Sequence, residues 1–559
     1  MTKLSEFPPP TSDAEYVGVP SDEEPIEVGV LIVGAGPAGL ACAIRLGQLL
    51  EAEPQVAKRL GEVPIAVLEK GKQVGSHLLS GAVINPRSLR RLFGNRKRID
   101  ELPFFAPVEA ESVYYLTRHQ ALRIPTPPTM RNHHNYIASL SQLGRWLADE
   151  AEAGGATILP ETAATKLLVA DGRVRGVRTG DRGRGRQGEE LANFEPGADV
   201  VARVTVLAEG TQGHLTGVAL ERFGLRADNP QVWALGVKEV WKVAKPLDRV
   251  IHTMGWPLRN APRYREFGGS FIYPLGSDHV AIGMVVGLDY RDAELSVHDL
   301  LQELKTHPRI RRILDGGERV EWGAKTIPEG GFVTLPKRLH APGLLLCGDG
   351  AGFVNVPALK GIHYAIESGR LAAEAAFGAL RRGATPATAL RAYDDAIKES
   401  FIWSDLQKVR NMRQAFGRGF WLGGALASVM TATKGHFPPG NSRTHPDADA
   451  DLISTDRARS YPAPDGKLTF DKLSSVFASG NKTRDDQPNH IRVQTRVPAE
   501  VGRMWERMCP AQVYEVQGDG GEVTVQVTPS NCVQCGAISA KGGRLTPPEG
   551  GSGPEYTLT

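Results

Sequence analysis

Val28-Gly-Val-Leu-Ile-Val-Gly-Ala-Gly-Pro-Ala-Gly-Leu40 is the stretch that decides the fold of this chain. The apolar run at 28–33 has the character of a strand, and the pattern from 40 to 50 that of a helix. Between them Gly34, Gly36 and Gly39 stand in G-x-G-x-x-G register. Gly34 permits the turn, Gly36 lets backbone approach a pyrophosphate, and Gly39 allows close helix–strand contact. The helix N-terminus then presents unpaired N–H groups and a partial positive charge to phosphate. A second strand, Pro64-Ile-Ala-Val-Leu-Glu-Lys70, ends in Glu69, placed to accept hydrogen bonds from a ribose. These parts predict a Rossmann-like dinucleotide site and leave the dinucleotide open.

The 559 residues predict two to four domains with ample core. A net charge of +3 is too mild to imply nucleic acid, and the short cluster Arg182, Arg184 and Arg186 does not change that. Five cysteines in so long a chain do not make a disulfide framework, which points to a reducing compartment. Residues 1–27 are Pro-rich and acidic, without the apolar core of a signal peptide. They are expected to form a disordered leader, and no stretch has the ~20 apolar residues of a membrane span.

After Glu69, the glycines at 71, 75 and 81 interrupt regular structure, as backbone lying against a flat ligand does. Lys70 and Gly75 therefore join the candidate cofactor residues. An Arg/Gly-rich stretch at 181–188 reads as an exposed hairpin tip. A strand at 200–208 runs into Glu209-Gly210, either a second backbone contact to a cofactor or an ordinary surface turn. A third strand, at 343–347, meets Gly348-Asp-Gly, with Lys360-Gly361 ahead of a helix over 362–377. Flavoproteins of the glutathione reductase type carry such a late Gly-Asp, whose Asp holds the ribityl chain. Asp349 fits that role, with Gly348 and Gly361 beside it, and no second G-x-G-x-x-G stands where it could serve a nicotinamide. FAD is the expected cofactor.

Residues 233–287 alternate in polarity and are rich in aromatics, which predicts an antiparallel sheet on the substrate side. The segment 415–430 is apolar and Gly-rich but broken by Arg418. It reads either as an interfacial helix, with Phe416, Phe420 and Trp421 at the headgroup boundary and Arg418 and Lys434 near anionic lipid, or as a buried core helix. Residues 446–494 read as a linker opening into a third domain. There Cys532 and Cys535 form C-x-x-C, and Cys509 precedes Pro510. Such spacing favours an iron–sulfur or zinc site over a redox dithiol, whereas Cys42 and Cys347 read as buried packing residues.

The ordered series Val33-Gly-Ala-Gly-Pro-Ala-Gly39, Leu79-Ser-Gly-Ala82, Gly255-Trp-Pro257, Gly268-Gly-Ser-Phe271, Asn355-Val-Pro357, Lys360-Gly361, Asp486-Gln-Pro488, Cys509-Pro-Ala511, Asn531-Cys-Val533 and Pro548-Glu-Gly-Gly551 resembles the electron transfer flavoprotein-ubiquinone oxidoreductase family across nearly the whole chain. The resemblance implies an FAD domain (28–112, 137–232 and 336–414), a quinone-binding, membrane-facing domain (113–136, 233–335 and 415–445) and a C-terminal ferredoxin-like domain (446–559) with a 4Fe-4S cluster. It further implies backbone contact of Gly268 and Gly269 with ubiquinone, electron transfer flavoprotein as donor, and peripheral attachment to the cytoplasmic face of a bacterial membrane. Two departures stand out. The family's C-x-x-C-x-x-C run has Ile538 in its last position here, which leaves three cysteine ligands. A 3Fe-4S cluster, a 4Fe-4S cluster with a non-cysteine ligand such as Ser539, and no cluster remain open. Thr126-Pro-Pro-Thr129 is also less apolar than the family's membrane-facing loop. The rival readings are a flavin monooxygenase or geranylgeranyl-reductase-like enzyme, and a non-catalytic redox subunit.

Overall fold

The computed structural model describes residues 2–21, 24–81, 83–383, 387–453 and 459–559. The opening stretch forms the strand Ile26–Val33, exposed at its first two residues and buried over the rest. Burial on both faces is why its apolar run does not alternate. Its sheet has nine strands, and it pairs in parallel with Ile65–Leu68 on one side and Asp199–Leu207 on the other. Leu344–Leu346 joins Asp199–Leu207, again in parallel. Val33, Leu68, Leu207 and Leu346 therefore end at one edge of the sheet, where open α/β folds bind ligands. Helix Pro37–Ala52 crosses helix Ile362–Arg381 closely, because Gly369 has no Cβ; one there would lie 1.9 Å from the Ala38 carbonyl oxygen.

The second sheet has seven strands in the order Glu318–Pro328, Trp233–Lys242, His279–Gly287, Gly268–Leu275, Val250–Gly255, Glu111–Leu116 and Ala121–Ile124. It is antiparallel except at one join, where Val250–Gly255 runs parallel to Glu111–Leu116. The strands within 233–287 pair antiparallel with one another, as expected, and the parallel join is with a strand outside that range. Those two strands are linked through the first sheet rather than by a hairpin, so no tight turn forces them antiparallel.

At the C-terminus, helix Ala499–Met508 lies over the sheet Arg496–Pro498, Glu522–Val527, Tyr514–Gln517. Its core, including Met504, Trp505 and Val525, is continuous with that of the seven-stranded sheet. Three looser expectations give way to packing. In the described part of 1–27, Leu4 is buried, Val17–Gly18 pairs with Ala164–Ala170, and Tyr16 meets His214 edge-on, so the leader is ordered. Its few apolar side chains find seats despite the polar composition. The hairpin tip docks on the C-terminal domain, since Arg186 donates to the Asp485 carbonyl and Glu549 accepts from Gly183 N–H. The segment from 446 is anchored by buried Asp447, which accepts from Trp233 N–H at 2.8 Å, and by the helix Lys472–Ala478.

Candidate functional site

A cavity of about 1020 Å³ begins at the glycine turn, passes the seven-stranded sheet and opens along the helix Phe420–Ala432. Gly34, Gly36, Glu69, Lys70, Glu209, Gly210, Gly348, Asp349, Gly361, Gly268 and Gly269 all line it. Residues more than two hundred positions apart thus converge because the parallel strands share an edge. Gly39 lies behind the wall, where a Cβ would come within 2.0 Å of the Gly34 carbonyl oxygen, so it lets the helix close on the turn. Gly75 is also off the wall. It holds φ +91 against the helix Leu140–Ala153, with the Ser141 carbonyl oxygen 2.6 Å from where a Cβ would sit, so its expected cofactor contact is corrected to a packing role.

The polar groups suit a dinucleotide. Helices Pro37–Ala52 and Ile362–Arg381 both begin at the cavity, each offering N–H groups to an anion. A Cβ on Gly36 would approach only Leu78, at 3.8 Å, and one on Gly210 would meet nothing within 4 Å, so backbone is open to a ligand at both. The Glu69 carboxylate accepts from Ala35 N–H at 3.2 Å and Gly71 N–H at 2.7 Å, which fixes it at the strand end. Burial raises its carboxyl above the ordinary range. Asp349 is pushed up to about 6 by burial and makes no side-chain hydrogen bond among the described residues. Glu209 is different. Its oxygens accept from Leu215 N–H, Thr216 N–H and the Thr216 hydroxyl at 3.1, 2.6 and 2.7 Å, so its side chain caps the helix His214–Arg222 rather than reaching for a ligand.

Motif reading passed over three lysines on this cavity, Lys238 buried and Lys325 and Lys360 half-buried. Burial lowers Lys238 to about 7 and Lys325 and Lys360 to about 8. Lys238 donates to the Ser80 carbonyl at 2.9 Å. The available signal was a lysine within an otherwise apolar strand, as at Val237-Lys-Glu-Val240. His252 and Tyr273 share a 2.6 Å hydrogen bond on the same wall. Gly268 and Gly269 lie where strands crowd. A Cβ would sit 2.0 Å from the Val285 carbonyl oxygen in the first case and 2.5 Å from that of Thr253 in the second.

The cysteine loop reaches the same cavity. Gln534, between Cys532 and Cys535, accepts from Lys70 Nζ at 2.5 Å, while its carbonyl accepts from Lys325 Nζ at 3.1 Å. Thr326 N–H and hydroxyl both donate to the Cys535 carbonyl, at 2.8 and 2.9 Å. Cys509 and Cys532 are buried and Cys535 is half-buried; burial raises all three thiols, Cys535 to about 12. Among the described residues no three His, Cys, Asp or Glu are arranged around a single metal ion. Cys42 and Cys347 are buried in the dinucleotide-sheet core, as expected.

At the far end, the helix Phe420–Ala432 buries only Gly423 and Met430. Trp421 is 70% exposed and Leu422 53%, with Leu122 at 65% beside the opening strands, so the core-helix reading is excluded. No helix among the described residues is long and apolar enough to cross a membrane.

Residues 233–327 match the family described as "ETF-QO, ubiquinone-binding", and residues 466–557 that described as "Electron transfer flavoprotein-ubiquinone oxidoreductase, 4Fe-4S". The chain is 39% identical to the mitochondrial electron transfer flavoprotein-ubiquinone oxidoreductase of Arabidopsis thaliana, over 96% of this chain and 85% of that one. This chain belongs to the electron transfer flavoprotein-ubiquinone oxidoreductase family. The human mitochondrial member is 37% identical over 98% of this chain and 92% of its own. The probable member from Acinetobacter baylyi is 37% identical over 96% and 99%. Among solved structures, a geranylgeranyl bacteriochlorophyll reductase-like protein from Thermoplasma acidophilum aligns with TM-score 0.55 at 17% identity, covering 74% of this chain and 92% of that one. That likeness shows a shared fold. The family's two redox groups can be tested against the residues present. Gly36, Gly210, Glu69, Asp349 and two helix N-termini fit FAD. The three thiols of the cysteine loop fit an iron–sulfur cluster, with one ligand fewer than the family's domain description requires.

Proposed function

We propose that this protein takes electrons from reduced electron transfer flavoprotein and delivers them to ubiquinone at a membrane surface, with FAD and an iron–sulfur cluster as its redox groups. One observation carries the reading: a single cavity joins the G-x-G-x-x-G turn to an opening beside Trp421 and the exposed helix Phe420–Ala432. A water-soluble substrate gains nothing from an apolar opening, whereas a quinone with an isoprenoid tail must be drawn from lipid.

FAD supplies the exchange between one-electron and two-electron partners. Gly34, Gly36 and the N-terminus of Pro37–Ala52 would hold its pyrophosphate, Glu69 a ribose, and Asp349 the ribityl hydroxyls, with the N-terminus of Ile362–Arg381, behind Gly361, as a second group favouring an anion. Lys238, Lys325 and Lys360 concentrate positive charge in a low-dielectric cavity, which would favour an anionic group bound there. Gly268 and Gly269 present bare backbone to the quinone ring. Lys70 and Gln534 tie the cysteine loop to the cavity that would hold FAD.

Attachment is peripheral. Trp421, Leu422, Val429 and Phe437 enter the headgroup boundary, and Arg418 and Lys434 meet anionic lipid on the cytoplasmic face of a bacterial membrane. The division into FAD, quinone and ferredoxin-like cluster domains follows the boundaries given above. The test is anaerobic mixing with enzymatically reduced electron transfer flavoprotein and a short-chain ubiquinone. Quinone reduction at a rate set by donor concentration is expected. Oxygen-dependent NADPH consumption without turnover of that donor establishes the monooxygenase or reductase rival, and a colourless protein the non-catalytic one.

A further inference from the structure

We infer that the C-terminal domain holds a three-iron, four-sulfide cluster on Cys509, Cys532 and Cys535, in place of the four-iron cluster named in the family's domain description. A four-iron cubane takes one protein ligand on each iron. Of the five cysteines, Cys42 and Cys347 are packed in the core of the dinucleotide sheet, leaving three.

The position three residues after Cys535 is occupied by Ile538, in the short helix Ala537–Ala540. It is buried in the hydrophobic core with Val533 and Ala540. Its side chain fills the space over Gly543: a Cβ on that glycine would lie 2.6 Å from Ile538 Cγ1 and 2.7 Å from Val493 Cγ1. Where the spacing calls for a fourth thiolate there is hydrocarbon, which does not ligate iron. The adjacent Ser539 does not replace it readily, since its hydroxyl oxygen already accepts from Leu545 N–H at 3.1 Å.

The rest of the loop is built for sulfur. Val513 N–H donates to Cys509 Sγ at 3.5 Å and Gln534 N–H to Cys532 Sγ at 3.4 Å. Left-handed backbone at Gln512 and Gln534, φ +50 and +53, shapes the turns around these thiols. Three thiolates so supported hold three irons, and no fourth cysteine is left for the remaining corner.

This assignment rests on the presence of a cluster and not on the route of electrons through it. The full-length protein is purified anaerobically, its iron and acid-labile sulfide are counted against flavin, and EPR spectra are taken oxidised and after dithionite. Three irons to four sulfides are expected, with a half-integer-spin signal in the oxidised protein that one-electron reduction removes. Ferrous iron added under reducing conditions is expected to leave the ratio unchanged. Ile538→Cys is expected to bring the ratio to four irons and move the signal to the reduced state. Should that variant not fold, the wild-type spectra decide alone. Equal iron and sulfide in the wild type, with a signal only after reduction, overturns the inference. Ser539→Ala and His490→Ala then identify the fourth ligand, His490 because both its ring nitrogens are buried without partners. Iron-free protein overturns it as well. A three-iron spectrum without oxidation of electron transfer flavoprotein leaves this assignment standing and removes the functional reading instead.

Discussion

At the dinucleotide end of this protein, the groups proposed to hold FAD are spread over backbone, two helix N-termini and two carboxylates; at the cysteine end the proposed cluster depends on three sulfur atoms. The first arrangement tolerates the diversion of a member, as Glu209 shows by capping its own helix while Gly210 stays open. The second has no redundancy, and the single residue Ile538 changes which cluster can form. Hydrogen bonds and dipoles add in small parts, whereas a metal–ligand bond is present or absent.

The largest effect expected from breaking this contrast is at Gly39. Gly39→Val drives a side chain into the Gly34 carbonyl, 2.0 Å from the Cβ position, at a cost of about 3 kcal/mol. The variant is expected to purify without flavin absorbance and to melt at lower temperature. Cys532→Ala comes next. Iron content is expected to fall to near zero while flavin remains bound, which separates the two ends directly. A Trp421→Ser, Leu422→Ser pair probes the cavity mouth. Removing about 1.5–3 kcal/mol of apolar burial per side chain is expected to weaken sedimentation with anionic vesicles at least tenfold, with reduction of a water-soluble quinone preserved.

A smaller effect follows from Asp349. Burial holds its carboxyl near 6 in the FAD-free chain, against an ordinary 3.8, so that chain loses stability as pH rises from 3.8 through 6. Hydroxyl donors on a bound ribityl chain favour the ionised form and lower the value again. FAD binding therefore releases a proton, and affinity measured by flavin titration is expected to rise with pH up to about 6 and then level. Asp349→Asn flattens the profile. Glu69→Gln is expected to cost least, about 1 kcal/mol in FAD affinity, because the amide oxygen can still accept one of the N–H groups of Ala35 and Gly71.

Local signals were legible where chemistry is local. The glycine turn, Glu69 and Asp349 each follow from a strand ending in a short polar motif, and all of them reach the cavity. Gly75 lies off the cavity wall and the Glu209 carboxylate, on the wall, caps its helix; a glycine or an acid in a loop serves packing and capping as readily as ligand binding, and partners such as Ser141 and Thr216 tell these roles apart. Lys238 and Lys325 escaped notice because they lie on neighbouring strands, which meet only through the pairing of Trp233–Lys242 with Glu318–Pro328. The leader at 1–27 looked unstructured because its composition is polar, yet a few apolar contacts suffice once a surface exists to receive them.

The sequence by itself determined the dinucleotide turn, the late Gly-Asp, the three-cysteine set and the isoleucine in the fourth place, since each is a matter of residue type at short spacing. Only the tertiary structure decided that the turn, the paired glycines and the exposed helix share one cavity, that the cysteine loop meets that cavity through Lys70 and Gln534, and that the apolar helix faces outward. Those facts depend on strands brought side by side from distant parts of the chain, and no local pattern encodes which surfaces remain uncovered once they pair.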